Sequence, residues 1–115
     1  MQLGFVGLGK MGGNMVERLL REKHQVVVFA RSTGSIEEAV KKGAIGSTSL
    51  KDMTGKLTGK KVVWLMVPSG APVDQNIADL LPLLSRGDII VDGGNSNYND
   101  SVRRHDLLAS QGIQF

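Results

Sequence analysis

The chain has 115 residues, 41% of them hydrophobic and 22% charged, which fits one folded domain and argues against disorder. No apolar run approaches the roughly twenty residues of a membrane-spanning helix. The absence of cysteine removes disulfides, thiolate metal sites and thiol nucleophiles. The net charge of +3 is spread over separate pairs, Lys41-Lys42, Lys60-Lys61 and Arg103-Arg104, read mostly as solvated surface. With aromatics at 4% there is no stacking platform, so a nucleic-acid partner is not expected, and the mild basicity suits a small anion equally well.

The chain opens on a short apolar run, Leu3-Gly4-Phe5-Val6, with the look of a buried parallel strand. Met11, Met15, Val16, Leu19 and Leu20 then recur at helical spacing, predicting a helix over Lys10 to Lys23. A second strand, Val26 to Phe29, is β-branched and continuous, as expected when both faces are covered. Ser32 to Ser35 offers a turn and an N-cap for a short helix through Ile36, Ala39 and Val40, closed by Gly43. Ala44-Ile45 reads as a brief third strand, and Ser49 as the cap of a small helix reaching Leu57. Val62 to Val67 is the most apolar run, a central strand stopped by Pro68.

Pro72 falls in the first turn of the next helix, which runs through Ile77, Leu80, Leu81 and Leu84, with Pro82 a kink or an early stop. Gly87-Asp88 turns into the strand Ile89 to Val91, and Asp92-Gly93-Gly94-Asn95 is a loop. Ser96 or Asn97 caps a last helix to about Gln111, and Ile113-Gln114-Phe115 begins another strand. Strands alternate with helices throughout, so the expected fold is α/β: a doubly wound parallel sheet of the dinucleotide-binding type. The chain is read as one such domain, 1–115, cut before its last strands. A start directly on a strand leaves no room for a signal peptide, and with no cysteine a cytoplasmic location is expected.

Between the first strand and the first helix lies Gly7-Leu8-Gly9-Lys10-Met11-Gly12, a G-x-G-x-x-G match. Alone it is weak in a chain with fifteen glycines, and a tight turn with no ligand would also produce it. Its flanks give it weight. Gly7 allows the turn, Gly9 lets a pyrophosphate approach the backbone, and Gly12 lets helix pack on sheet, while the helix N-terminus favours phosphate.

In such folds a carboxylate at the end of the second strand binds the adenosine ribose. Here Ala30 stands at that place and Arg31 and Ser32 follow. A guanidinium suits a 2′-phosphate that a carboxylate would repel, so NADP is preferred over NAD. Otherwise Arg31 is a solvated loop residue and Ser32 a cap. Ligands in open α/β sheets lie beyond the carboxyl ends of the strands, which adds the Val67-Pro68-Ser69-Gly70 turn and the Asp92 to Ser96 loop as candidates.

The run Gly7 to Met15 resembles the fingerprint of the β-hydroxyacid dehydrogenases. Asp92-Gly93-Gly94-Asn95-Ser96-Asn97-Tyr98 narrows the likeness to the decarboxylating 6-phosphogluconate dehydrogenases, and Met66 to Gly70 resembles that family's second cofactor loop. The resemblance implies a cofactor grip by Gly7, Leu8, Gly9, Lys10, Met11 and Gly12, by Ala30, Arg31 and Ser32, by Val67, Pro68 and Ser69, and by Asn95, which would also touch the sugar acid. It implies oxidation of 6-phosphogluconate with NADP and loss of CO2 to give ribulose 5-phosphate, by a homodimer when complete. Pro68 and Ala30 depart from the residues many relatives carry there. The family's catalytic lysine and glutamate and its helical domain are expected beyond residue 115, so no catalytic residue is assigned, and His24 and His105 are read as surface residues. A sister hydroxyacid dehydrogenase and a non-catalytic nucleotide-binding module are the competing readings.

Overall fold

The computed structural model describes residues 2–94 and 97–115. Five parallel strands form one sheet: β1 (Gln2–Val6), β2 (Gln25–Phe29), β3 (Ile45–Gly46), β4 (Val62–Leu65) and β5 (Ile89–Asp92). Their spatial order is β3-β2-β1-β4-β5. The helices between them are α1 (Lys10–Arg21), α2 (Thr33–Lys41), α3 (Leu50–Gly55), α4 (Ala71–Leu80) and α5 (Tyr98–Ser110). Gln114 makes a further parallel bridge to Ile89, with Ile90 donating its N–H to the Gln114 carbonyl at 2.9 Å. The last residues thus lie along the outer side of β5, as the start of a sixth strand would.

Side chains of a strand point alternately to the two faces, and here both faces are buried. Leu3, Phe5, Val26 and Val28 pack with Val16 of α1 and Ala39 of α2. Val6, Val27, Val63, Leu65 and Ile90 pack on the other face with Met53 of α3, with Val73, Ile77 and Leu80 of α4, and with Leu108 of α5. Phe5 and Trp64 stack across neighbouring strands, ring centroids 6.4 Å apart and nearly parallel. The chain runs outward from β1 to β3 on one side, then returns past β1 to β4 and β5. The strand order therefore reverses at β1, between β2 and β4. Such a reversal opens a crevice above the carboxyl ends of the strands.

Several boundaries differ from the sequence expectations. α1 ends at Arg21, because Lys23 adopts a left-handed φ of 68° and the His24 N–H turns back to the Leu19 carbonyl at 3.1 Å. The third strand is Ile45–Gly46 rather than Ala44-Ile45. β4 stops at Leu65, although the Met66 N–H still reaches the Val6 carbonyl at 2.7 Å. α4 stops at Leu80 and tightens into a 3₁₀ turn, Leu81–Leu83, since Pro82 has no N–H to continue the helix. α3 is shorter than expected, but its cap is as read: Ser49 Oγ accepts from the Asp52 N–H at 2.9 Å, and the Asp52 carboxylate accepts from the Thr48 N–H at 2.9 Å. Asn97 caps α5, accepting from the Asn99 N–H at 2.9 Å, while the other candidate, Ser96, lies outside the described residues.

Candidate functional site

The crevice at the switch point is a groove of about 1240 Å³. One wall is the turn between β1 and α1, where Gly7, Leu8, Gly9, Lys10, Met11 and Gly12 all line it. Gly7 has φ +99°, and a Cβ there would meet the Met66 carbonyl of the neighbouring strand. Gly12 sits where α1 passes closest to the turn, and a Cβ there would collide with the Gly7 carbonyl. Both positions are thus closed to any larger residue by the protein's own backbone.

Gly9 differs from them. Its φ is −63°, open to any residue, and an added Cβ would meet nothing within 4 Å. What that missing side chain leaves clear is the approach to the N-terminus of α1. Gly9 is the N-cap and provides no side-chain hydrogen bond, and no acidic residue occupies the first turn. The first N–H groups of a helix have no partner within it and carry the positive end of its dipole. These donors are backbone and neutral, and the residues that carry them, Lys10, Met11 and Gly12, line the groove, an arrangement that favours phosphate.

The second wall is the end of β2. Ala30, Arg31 and Ser32 line the groove, and Arg31 also borders a smaller adjoining recess of about 460 Å³. Ser32 Oγ caps α2, accepting from the Ser35 N–H at 3.3 Å, so the cap anticipated for it is formed while its own O–H remains available to donate. The far wall is built after β4 and β5. Val67 and Pro68 line the groove, and so does Gly94; Ser69 is exposed and does not border it. Asn95, expected at this end, lies outside the described residues.

The structure also brings in residues the sequence reading passed over. Thr48, Ser49, Leu50 and Lys51, at the capped start of α3, close the groove beside Arg31. From α4, Pro72, Gln75, Asn76 and Asp79 face it. The α4 set recurs at helical spacing on a stripe flanking the buried Val73, Ile77 and Leu80, and its polar members Gln75, Asn76 and Asp79 were present to be read. Among the described lining residues the charged groups are Lys10, Arg31 and Lys51 against the single carboxylate of Asp79. This balance, with the α1 N-terminus, favours an anionic ligand. A dinucleotide therefore fits the groove: backbone donors and open space at Gly9 for the pyrophosphate, and a cation at the end of β2 for the ribose side.

The strand ends on the opposite side of the sheet have a structural task. Asp88, almost wholly buried, accepts from the Lys61 N–H at 2.9 Å and the Ser85 N–H at 2.7 Å, tying the entries of β4 and β5. Among the described residues no group of three or more His, Asp or Glu is gathered to hold a metal, and no helix is long and apolar enough to cross a membrane. His24 is half-buried, with Nδ1 lacking a hydrogen-bond partner among the described residues, and so is not the plain surface residue expected.

Arg104 corrects the sequence reading more sharply. Taken with Arg103 as a surface pair, it is 0% exposed, while Val102 and Leu107 of the same helix are exposed. Its Nε donates to Asp74 Oδ1 at 2.8 Å. That hydrogen bond, followed by one from Arg103, holds the Asp74 carboxyl below its ordinary 3.8 against the opposing effect of desolvation.

Residues 2–115 match the family described as the NAD binding domain of 6-phosphogluconate dehydrogenase. The chain belongs to this family. Among similar proteins, the NAD(+)-dependent, decarboxylating 6-phosphogluconate dehydrogenase of Haloferax volcanii is 45% identical over 110 residues, covering 96% of this chain and 37% of that protein. The decarboxylating 6-phosphogluconate dehydrogenase of Haemophilus influenzae is 43% identical over 118 residues, covering 98% of this chain and 24% of that protein. In three dimensions the chain is similar to Plasmodium falciparum 6-phosphogluconate dehydrogenase, described as apo, with NADP+ and with 6-phosphogluconate. The TM-score there is 0.91 at 28% identity, over 99% of this chain and 26% of the other. The chain thus spans well under half the length of these relatives. It is an α/β, Rossmann-type domain of the 6-phosphogluconate dehydrogenase kind.

Proposed function

We propose that this chain is the NADP-binding domain, residues 1–115, of a decarboxylating 6-phosphogluconate dehydrogenase. The observation that carries the reading is the groove at the β1 switch point. It combines the uncapped N-terminus of α1, the open approach over Gly9 and the Arg31 cation at the end of β2. In this reading Gly7, Leu8, Gly9, Lys10, Met11 and Gly12 hold the pyrophosphate, and Ala30, Arg31 and Ser32 hold the adenosine ribose and its 2′-phosphate. Val67, Pro68 and Asn95 serve the nicotinamide end, where Asn95 also meets the sugar acid; Ser69, which does not border the groove, is left out of this grip. When bound, the nicotinamide would supply the acceptor for a hydride from C3 of 6-phosphogluconate, whose 3-keto product would lose CO2 to give ribulose 5-phosphate. The groups that move protons in that chemistry are assigned outside these residues, in the remaining length that the relatives have, and the complete protein is taken as a homodimer.

The relatives' own names leave both cofactors open, since one is NAD(+)-dependent and another is described with NADP+. Arg31 tips the choice: it lines the groove just after Ala30, where a ribose-binding carboxylate would otherwise exclude a 2′-phosphate. The test is to measure NADP and NAD dissociation constants for the native protein and for Arg31→Ala. NADP affinity is expected to fall about tenfold or more with NAD little changed, consistent with loss of one charge-assisted contact. An unchanged preference would assign the 2′-phosphate elsewhere.

A further inference from the structure

The charged group buried most completely in the described structure lies behind the groove, not in it. Arg104 of α5 is 0% exposed, and three of its contacts run to groove-forming segments. Its Nε and Nη2 donate to the two oxygens of Asp74, at 2.8 and 3.3 Å, and Nη2 also donates to the Gly70 carbonyl at 3.1 Å. Its Nη1, with no hydrogen-bond partner among the described residues, lies 4.0 Å from Asp92 Oδ2. Asp92 in turn accepts from the Gly94 N–H at 3.0 Å, and Gly94 lines the groove. Gly70, the N-cap of α4, has φ +90°, a conformation that favours glycine, and two residues on Pro72 lines the groove.

From this geometry we infer that Arg104 is a positioning residue for the far wall of the groove. One guanidinium fixes the first turn of α4 against the turn that follows β5, and so sets where the nicotinamide half of a dinucleotide can rest. The inference rests on the dinucleotide reading of the groove. A planar fork is suited to this work because it reaches two oxygens of one carboxylate and a carbonyl without rotating. Burial makes the link stiff, since neither partner can be exchanged for water on the guanidinium side. Arg103, one residue earlier, supplies a natural contrast. It reaches the same Asp74 at 3.2 Å and Asp100 at 3.5 Å, but from solvent, and among the described residues it pairs with none of the β5 turn.

The test uses the full-length protein and compares two ligands: NADP, and 2′,5′-ADP, which lacks the nicotinamide half. Dissociation constants are measured for the native protein, Asp74→Asn, Arg104→Lys and, as a control, Arg103→Ala, well below each melting temperature. Asp74→Asn removes the charge from a half-exposed position and so keeps the experiment decisive if Arg104→Lys does not fold. The expected result is a loss of NADP affinity of about tenfold in Asp74→Asn and in folded Arg104→Lys, with 2′,5′-ADP affinity within about twofold and Arg103→Ala changing neither. Equal losses for both ligands, or a lower melting temperature with both affinities unchanged, would overturn the positioning role. A native protein that binds neither ligand would overturn the dinucleotide reading itself and this role with it.

Discussion

Four glycines at the β1–α1 turn separate the causes that a motif runs together. An Ala at Gly12 would ordinarily gain about 1 kcal/mol of helix propensity. Here its Cβ meets the Gly7 carbonyl, and such overpacking costs about 1–3 kcal/mol. Gly12→Ala is therefore expected to lower the urea midpoint, whereas Gly13→Ala, whose Cβ would sit 3.9 Å from the Leu8 carbonyl, should hold or raise it. Gly9→Ala should change stability by under about 1 kcal/mol, because only a slightly poorer N-cap is made. Its cofactor affinity should nevertheless fall about tenfold, by calorimetric titration, since the methyl group would stand in the open space proposed for the pyrophosphate. A Gly9→Ala protein with unchanged affinity would remove the ligand-approach role and leave Gly9 a turn residue. The glycine pattern and the expected division of tasks were legible in the sequence; the structure adds what each Cβ would meet, the Met66 carbonyl at Gly7, the Gly7 carbonyl at Gly12 and nothing at Gly9.

Among the elements, the helix caps and the Asp74–Arg104 pair that joins α4 to α5 set expectations for stability. Ser49→Ala should cost about 1 kcal/mol in chemical denaturation, the usual worth of an N-cap hydroxyl, because Ser49 accepts the Asp52 N–H. The carboxyls of Asp52 and Asp74 are both held below 3.8. For Asp52 the cause is first the Thr48 N–H and then Lys56, and for Asp74 it is first Arg104. A carboxyl that is more acidic in the folded state binds fewer protons there than in the unfolded chain. Its contribution is thus present above 3.8 and is lost as pH falls through the lower folded value. Denaturation midpoints should hold steady for these groups above about pH 5 and decline below about pH 4, with Asp74→Asn showing a shallower decline.

The elements themselves were largely legible, because a buried strand and an amphipathic helix write their period into the sequence. The misses have physical causes. Met66 still bonds to Val6 although the strand has ended, and Lys23 takes a left-handed turn that its type does not announce. Arg104 reads as surface because a cation on a polar helix usually is. Its partners, Gly70, Asp74 and Asp92, are 34, 30 and 12 residues away along the chain, and no local pattern names them.

For the whole molecule, the order β3-β2-β1-β4-β5 decides more than any motif. It places the α1 N-terminus, Arg31, the start of α4 and Gly94 around one crevice, although they are spread over most of the chain. The sequence allowed this arrangement to be expected from strand–helix alternation, but Lys51 and the α4 stripe joined the site only when the sheet was assembled. In the proposed reading this crevice takes a dinucleotide with its pyrophosphate at the N-terminus of α1. The most direct measurement is the thermal denaturation of the native protein with increasing NADP or NAD. The account predicts a saturable rise with NADP, reaching about 2.7 kcal/mol of stabilisation at a hundred times the dissociation constant, with NAD requiring higher concentrations. A folded protein whose melting is unmoved by millimolar NADP and NAD alike would contradict it.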